Sequence, residues 1–183
     1  MDMKSGITLT RQAIVLLARF RIATGFVFGA IVFWLADPTR TTLVAGAILA
    51  SVGEALRVWA AGHLQKSSEV TTSGPYRWCA HPLYVGSSIM GLGLALAAGS
   101  VAVAVLIAVY LCVTLTAAMK SEEAFLRRTF GDEYDRYRRG ATGGRPRLRH
   151  FSLSQVMANH EYRAIVGLLL AMLLLALKTA PNV

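Results

Sequence analysis

The chain has 183 residues, of which 55% are hydrophobic and only 16% are charged, and its mean hydropathy is +0.50. This composition excludes an ordinary soluble protein and indicates one integral-membrane domain over residues 1–183, with little room for a soluble part. The formal net charge of +9 does not indicate nucleic acid, because no base-reading or stacking element is visible, and we expect a lipid bilayer with anionic headgroups as the partner.

A bilayer core of roughly 30 Å needs about 20 apolar residues per helix, and the chain has five candidate segments. The first is interrupted at its start by Arg19 and Arg21, so residues 9–20 are expected to form a separate interfacial helix. Alternatively, the first span begins near residue 13 and both arginines snorkel. The expected fold is an all-α polytopic bundle of about five membrane helices with a cytoplasmic amphipathic helix. The segments are residues 22–36, 41–63, 82–99, 101–119 and 162–180.

Two very short links, Asp37–Arg40 and Gly99–Ser100, predict that the first and second spans, and the third and fourth, are tight antiparallel hairpins. The two long polar segments, residues 64–81 and 120–161, then emerge on the same side of the membrane. Any site that requires more than lipid-facing side chains is expected to be built from these two segments.

The basic residues are distributed on one side of the predicted topology. Only Arg40 and Lys178 fall on the other side. The positive-inside rule therefore predicts that the N-terminus and the site are cytoplasmic and that the C-terminus is outside, in a cell inner membrane.

The polar segment after the fourth span contains a helical pattern over residues 121–139, which Gly131 is expected to break or bend. The stretch Gly140–Arg149 is expected to be a loop. The apolar and aromatic residues of the pattern are Phe125, Leu126, Phe130, Tyr134 and Tyr137.

His81 and Pro82 stand where the first polar segment becomes the third span. Proline suits the first position of a helix, so His81 is expected at the cap, with Tyr84 on the same face. A helix start of this kind attracts anions. On this evidence alone, an ordinary membrane helix with a histidine cap and an interfacial tyrosine is an equal alternative.

Glu122 and Glu123 lie at the predicted end of the fourth span, where the helix dipole disfavours carboxylates. They could begin the next helix in water, or they could hold the ammonium group or ribose hydroxyls of a ligand. Their expected position beside His81, across one hairpin, favours a site.

Glu54 and Arg57 lie inside the second span at i and i+3, where they can pair. Ionisable groups inside a membrane are costly and suggest function, although a structural ion pair would also explain them. At the start of the fifth span, residues 160–163 either anchor the helix at the interface or close one wall of the site. Cys79 and Cys112 form neither a disulfide framework nor a metal-binding spacing, so no metal is expected.

Four motifs together resemble the isoprenylcysteine carboxyl methyltransferase family and its phospholipid methyltransferase relatives, over roughly residues 50–140. The resemblance implies a membrane enzyme that uses S-adenosylmethionine and methylates a lipophilic or membrane-associated acceptor. It also implies that His81, Tyr84, Glu122 and Glu123 bind the cofactor, together with Tyr134 and Tyr137, which order the covering segment. Glu54 and Arg57 are the candidate substrate residues, and no catalytic residue is indicated. The motifs are Gly74-Pro75-Tyr76, His81-Pro82-Leu83-Tyr84-Val85-Gly86, Glu122-Glu123, and Phe130-Gly131-Asp132-Glu133-Tyr134 with Tyr137.

Two positions depart from the family pattern. Ala80 and Ala118 stand where relatives usually carry arginine, the natural partner of a carboxylate substrate. Arg57, Arg77 or Lys120 compensates, or the acceptor is an amine, a thiol or another lipid group. The alternative function is a non-catalytic membrane scaffold or lipid-binding protein that retains the fold. The sequence indicates no oligomeric state.

Overall fold

The computed structural model describes residues 25, 27–66, 68–140 and 150–179, and within these residues it contains helices and no strand. The predicted all-α bundle is therefore confirmed. A short 3₁₀ helix, Gly74–Arg77, lies in the first polar segment. The α-helices in chain order are α1 (27–35), α2 (Arg40–His63), α3 (Pro82–Ala98), α4 (Val101–Phe130), α5 (Asp132–Arg138), α6 (Leu153–Ala158) and α7 (Tyr162–Thr179).

Three of these helices, α2, α4 and α7, are long and apolar enough to cross a membrane, and α3 is apolar but shorter, with 17 residues. In chain order, α2, α3, α4 and α7 match the predicted second, third, fourth and fifth spans. Residues 27–35 of the predicted first span are helical. The predicted interfacial helix at 9–20 and most of the predicted loop at 140–149 lie outside the described residues.

Helices α2 and α3 make the tightest contact of the bundle because small residues line both of them. A Cβ added to Gly46 would lie 2.4 Å from the amide nitrogen of Ala97, and one added to Gly93 would lie 2.3 Å from that of Ala50. Backbones can approach this closely only where side chains are absent, and such packing replaces the hydrophobic driving force that helices lack in lipid. Glycine and alanine at these positions therefore fix how α2 and α3 pack.

The two predicted short links are confirmed at one end of the bundle. Residues 36–39 connect α1 to α2, and Gly99 and Ser100 connect α3 to α4. The amide of Asp37 donates to the carbonyl of Ala98 at 2.7 Å, and Gly99 adopts φ of 65°, which favours glycine. The same end is closed by Lys178, whose ammonium group donates to the carbonyl oxygens of Phe33 and Trp34 at 2.7 and 3.0 Å.

The prediction that a new helix starts near residue 121 is wrong. Helix α4 continues without interruption to Phe130, so Glu122 and Glu123 lie within it rather than at its end. The reason is local, because residues 120–130 contain no glycine or proline and are rich in good helix formers. The predicted break at Gly131 is confirmed, with φ of 49° and ψ of −121°, and α5 begins immediately after it.

Candidate functional site

The polar ends of four helices meet at the end of the bundle opposite the short links. Helix α2 ends there, α3 begins there, the polar part of α4 extends there, and α7 begins there. Asn159, between α6 and α7, fixes this arrangement by donating from its amide nitrogen to the carbonyls of Ala61 and Leu64 at 2.8 and 3.0 Å. The carbonyl of Ala61 lies in the last turn of α2, where no amide of the helix itself reaches it.

His81 caps α3, as predicted, and Pro82 occupies the first helical position. The side chain of His81 makes no capping hydrogen bond and instead faces α4. The imidazole Nε2 lies 3.1 Å from Oε1 of Glu123, and Nδ1 lies 3.6 Å from Oε2 of Glu122. The structure therefore brings together the histidine and both glutamates, which are more than forty residues apart in the chain.

The two carboxylates favour the protonated imidazole. The nearby carboxylate of Glu122, and secondarily that of Glu123, raises the pKa of His81 above its ordinary value, although partial burial opposes the shift. A protonated His81 then shares its charge between two carboxylates of one helix. This joins the start of α3 to the polar part of α4.

Glu122 and Glu123 have different environments. Glu123 also forms an ion pair with Arg138, in which Nη2 lies 3.1 Å from Oε1 of Glu123. Glu123 therefore connects α3, α4 and α5. Glu122 makes the longer contact with His81 and also interacts with Tyr84, and 35% of its side chain is exposed. Glu122 is thus the carboxylate that remains available to a ligand.

Helix α5 is held over the site by two tyrosines. The hydroxyl of Tyr137 donates to the carbonyl of Tyr76 at 2.7 Å, which ties α5 to the 3₁₀ helix. Burial raises the pKa of Tyr137 to about 12, so the hydroxyl remains a donor at neutral pH. Tyr134 is only 1% exposed, and its hydroxyl has no hydrogen-bond partner within the described part of the chain.

A cavity of about 920 Å³ lies between these elements. Sites for small molecules commonly enclose about 300–1,000 Å³. Of the residues predicted to bind ligands, five line the cavity and three, His81, Glu123 and Glu54, lie behind its wall. The five are Arg57, Tyr84, Glu122, Tyr134 and Tyr137.

The predicted pair of Glu54 and Arg57 is present, with Oε2 and Nε 3.5 Å apart. Arg57 makes a closer ion pair with Glu161, at 2.6 Å between Nη2 and Oε1. Its Nη1 also donates to the hydroxyl of Ser87. Arg57 therefore joins α2, α3 and the start of α7, and it lines the cavity.

Glu161 carries the weakest sequence signal of the residues at this site. The sequence predicts that residues 160–163 form an interfacial anchor or a wall of the site, and three of them, His160, Glu161 and Arg163, line the cavity. His160 adopts φ of 59°, unusual for a residue with a side chain, and so turns the chain between α6 and α7. Because the contact between Arg57 and Glu161 spans more than a hundred residues, no local pattern could have indicated it.

Ala80 and Ala118 both line the cavity as well. Small side chains at these positions leave the space between α3 and α4 open. Both cysteines are free. Among the described residues, no group of three or more His, Cys, Asp or Glu side chains could hold a metal ion.

Comparison of the sequence with known proteins identifies a family and several relatives. Residues 26–133, more than half of the chain, match the family described as phospholipid methyltransferase. The chain is 34% identical over 120 residues to the nickel-cobalt-cadmium resistance protein NccN of Alcaligenes xylosoxydans, a match that covers 64% of this chain and 54% of the relative. It is 32% identical over 139 residues to the cobalt-zinc-cadmium resistance protein CzcN of Cupriavidus metallidurans, which covers 70% and 62%.

A third relative is the protein-S-isoprenylcysteine O-methyltransferase of Schizosaccharomyces pombe, which is 30% identical over 98 residues, or 54% of this chain and 42% of the relative. The chain spans about half the length of the curated relatives that it matches. No solved structure gives a significant match.

Proposed function

The chain belongs to the phospholipid methyltransferase family, and we propose that it is a membrane-embedded, S-adenosylmethionine-dependent methyltransferase acting on a lipophilic or membrane-associated small acceptor. The residues that line the cavity are the observation that supports this proposal. Tyr84 of α3, Glu122 of α4 and both tyrosines of α5 line it. These are residues for which the family resemblance implies cofactor binding.

The chemistry of the cavity lining suits S-adenosylmethionine. Glu122 offers a partly exposed carboxylate to an ammonium group or to ribose hydroxyls. The rings of Tyr76, Tyr84 and Phe125 line the cavity and could contact a purine. The buried hydroxyl of Tyr134 has no partner in the described part of the chain, so it is free to bond a ligand at little cost.

S-adenosylmethionine, when bound, supplies a methyl group activated by a sulfonium, so the protein has chiefly to align two reactants and exclude water. His81 and Arg138 support this alignment from behind the wall by fixing Glu123, and with it the relation of α3, α4 and α5. Tyr137 holds α5 over the cavity. Glu54 and Arg57 act on the acceptor, at the part of the site that they occupy between α2 and the start of α7.

We place the site on the cytoplasmic side of a cell inner membrane. At the end of the bundle that holds the cavity, cations are abundant, whereas the described cations at the opposite end are Arg40 and Lys178. This asymmetry agrees with the positive-inside rule and suits anionic headgroups. The cations at the cavity end of the described chain are Lys66, Arg77, Lys120, Arg127, Arg128, Arg136, Arg138, Arg139 and Arg163.

Transfer of a labelled methyl group tests the proposal. Purified protein in nanodiscs of native lipid, incubated with methyl-labelled S-adenosylmethionine, is expected to pass label to a lipid-phase or small acceptor. His81→Ala and Glu122→Ala are expected to abolish transfer. Glu133→Ala, which removes an exposed carboxylate of α5 outside the cavity, is the matched control and should retain it.

The second candidate is a non-catalytic scaffold or lipid-binding protein, favoured by the alanines at positions 80 and 118 of the cavity lining. The same experiment separates the two functions. Cofactor binding without label in any acceptor would support the non-catalytic protein, and label in an acceptor would exclude it.

A further inference from the structure

The two ring nitrogens of His81 are held unequally. Nε2 lies 3.1 Å from Oε1 of Glu123, and Nη2 of Arg138 lies 3.1 Å from the same oxygen. Nδ1 is buried and has no hydrogen-bond partner in the described chain, because Oε2 of Glu122, the carboxylate oxygen that faces it, is 3.6 Å away. A proton on Nδ1 is therefore supported chiefly by the negative charge of Glu122.

Glu122 divides its single charge between His81 and the cavity. It lines the cavity, and 35% of its side chain is exposed. A cationic group of a ligand beside Glu122 would offset the charge that supports the proton on Nδ1, and it would also repel the imidazolium of His81. Since both effects disfavour the protonated imidazole, a cation in the cavity promotes loss of the Nδ1 proton.

His81 is the residue of this cluster that changes charge most readily near neutral pH, because histidine is the side chain whose charge ordinarily changes between pH 5 and 8. The two glutamates raise the pKa of His81 and so favour its protonated form in the ligand-free protein. The charges of His81 and Arg138 then balance those of the two carboxylates. The described titratable and charged groups around His81 are Glu122, Glu123 and Arg127 of α4, Tyr134 and Arg138 of α5, Tyr76 of the 3₁₀ helix, and Cys79 and Tyr84 of its own segment.

Building on the proposed function, we propose that the ammonium group of S-adenosylmethionine and the Nδ1 proton of His81 compete for Glu122, so that cofactor binding releases one proton from His81. The proton passes to water, and the neutral imidazole keeps its N–H on Nε2, where it donates to Glu123. His81 is thus a positioning residue, which neutralises Glu122 until the ligand takes over that charge. Glu122 accordingly contacts the ammonium group and not the ribose hydroxyls.

Cofactor affinity is then expected to rise with pH. Because the bound ammonium group lowers the pKa of His81, the free protein holds more protons than the complex at any pH between the two pKa values. A nearby charge changes a pKa by about 1–3, and a change of about 1 corresponds to about tenfold in affinity. Binding is therefore expected to weaken at least about tenfold as the pH falls through this range.

Titration calorimetry counts the proton. S-adenosylmethionine is titrated into the protein in detergent at the same pH, near neutrality, in phosphate and in Tris, whose heats of ionisation differ. The difference between the two binding heats gives the number of protons exchanged. The native protein is expected to release up to one proton, and cofactor binding without proton release would overturn the inference.

Two histidine variants assign the proton. His81→Gln keeps an amide that can donate to Glu123 but has no titratable group, so its binding of the cofactor is expected to release no proton. His160→Asn removes a histidine that lines the cavity, at a φ of 59° that asparagine tolerates, and should still release the proton. Ionisation of the ligand itself is common to all three proteins. Equal release from the native protein and His81→Gln would contradict the assignment.

NMR titration without cofactor keeps the inference testable if His81→Gln does not fold. One histidine of the native protein is expected to have a pKa above the ordinary value. Glu122→Gln is expected to lower that pKa by about 1, whereas Glu133→Gln, which removes an exposed carboxylate elsewhere, should not change it. An unchanged histidine pKa in Glu122→Gln would show that Glu122 does not support the proton and would overturn the inference.

The proposed function and the proton release fail separately. Absence of S-adenosylmethionine binding would overturn the proposed function and leave the coupling of His81 to Glu122 measurable by NMR. Cofactor binding that releases no proton would overturn only the inference.

Discussion

At the level of single residues, the adjacent carboxylates of Glu122 and Glu123 make different contacts. Glu123 contacts His81 and Arg138 and so supports the structure, whereas Glu122 faces the cavity. Glu123 helps to build the wall, and we propose that Glu122 presents its charge to a ligand. The division follows from their positions on α4, because adjacent residues of a helix point in directions about 100° apart.

The two tyrosines of α5 provide a matched pair of substitutions. Tyr137→Phe removes the hydrogen bond to the carbonyl of Tyr76 and is expected to lower the free energy of unfolding by about 1 kcal/mol. Tyr134→Phe removes a hydroxyl that has no partner in the described chain, so stability should not fall. Thermal unfolding in detergent measures both.

The same pair should behave in the opposite way toward S-adenosylmethionine. We propose that the hydroxyl of Tyr134 bonds the cofactor, so Tyr134→Phe is expected to weaken cofactor binding although the protein remains as stable as the native form. Equal losses of stability in the two variants would show that the hydrogen bond of Tyr137 does not hold α5.

The sequence predicted the contact of His81 with the glutamate pair because a hairpin brings its two ends together. It could not assign separate roles to Glu122 and Glu123, which depend on the rotation of α4 about its axis. It also predicted the pair of Glu54 and Arg57, which is local to one helix. Glu161, the closer partner of Arg57, is brought to it by tertiary packing, which leaves no local pattern in the sequence.

At the level of helices, close packing of α2 against α3 determines the shape of the site, because Arg57 and His81 belong to these two elements. Gly53 is central to this packing. A Cβ added to it would lie 2.4 Å from the amide nitrogen of Met90 and 2.6 Å from the carbonyl oxygen of Gly86. Both are backbone atoms and cannot move aside as a flexible side chain can.

Gly53→Ala is therefore expected to lower the free energy of unfolding by about 1–3 kcal/mol, as overpacking of a filled interior does. Gly167→Ala is the control, because nothing lies within 4 Å of the Cβ that it would add to α7. Thermal unfolding in detergent checks both variants. If Gly53→Ala were as stable as Gly167→Ala, α2 and α3 would not pack as closely as described.

Apolar length predicted the helices α2, α3, α4 and α7 well, since the bilayer dictates the size of a span. Segments outside the apolar runs were harder to predict. Helix α4 extends to Phe130 because nothing in its polar part interrupts it, and α6 is a short turn of helix stabilised by contacts with α2. One of these contacts is the hydrogen bond from the amide nitrogen of Gln155 to the carbonyl of Leu64 at 2.8 Å.

At the level of the whole molecule, the two ends of the bundle serve different purposes. The end with the short links is closed by the contacts of Asp37 with Ala98 and of Lys178 with α1. The other end carries the long polar segments, most of the charge and the cavity. A polar cofactor and a lipophilic acceptor could both reach a cavity at this position, since it lies where membrane helices meet polar segments.

Titration calorimetry with S-adenosylmethionine tests the central claim, that this cavity holds the cofactor and that Glu122 is its anionic contact. Native protein and Glu133→Gln in detergent are predicted to bind with equal affinity, and Glu122→Gln at least about tenfold more weakly, because a hydrogen bond to a charged group contributes about 1.5–3 kcal/mol. Folded native protein that takes up no S-adenosylmethionine, or a Glu122→Gln variant that binds as the native protein does, would contradict the account.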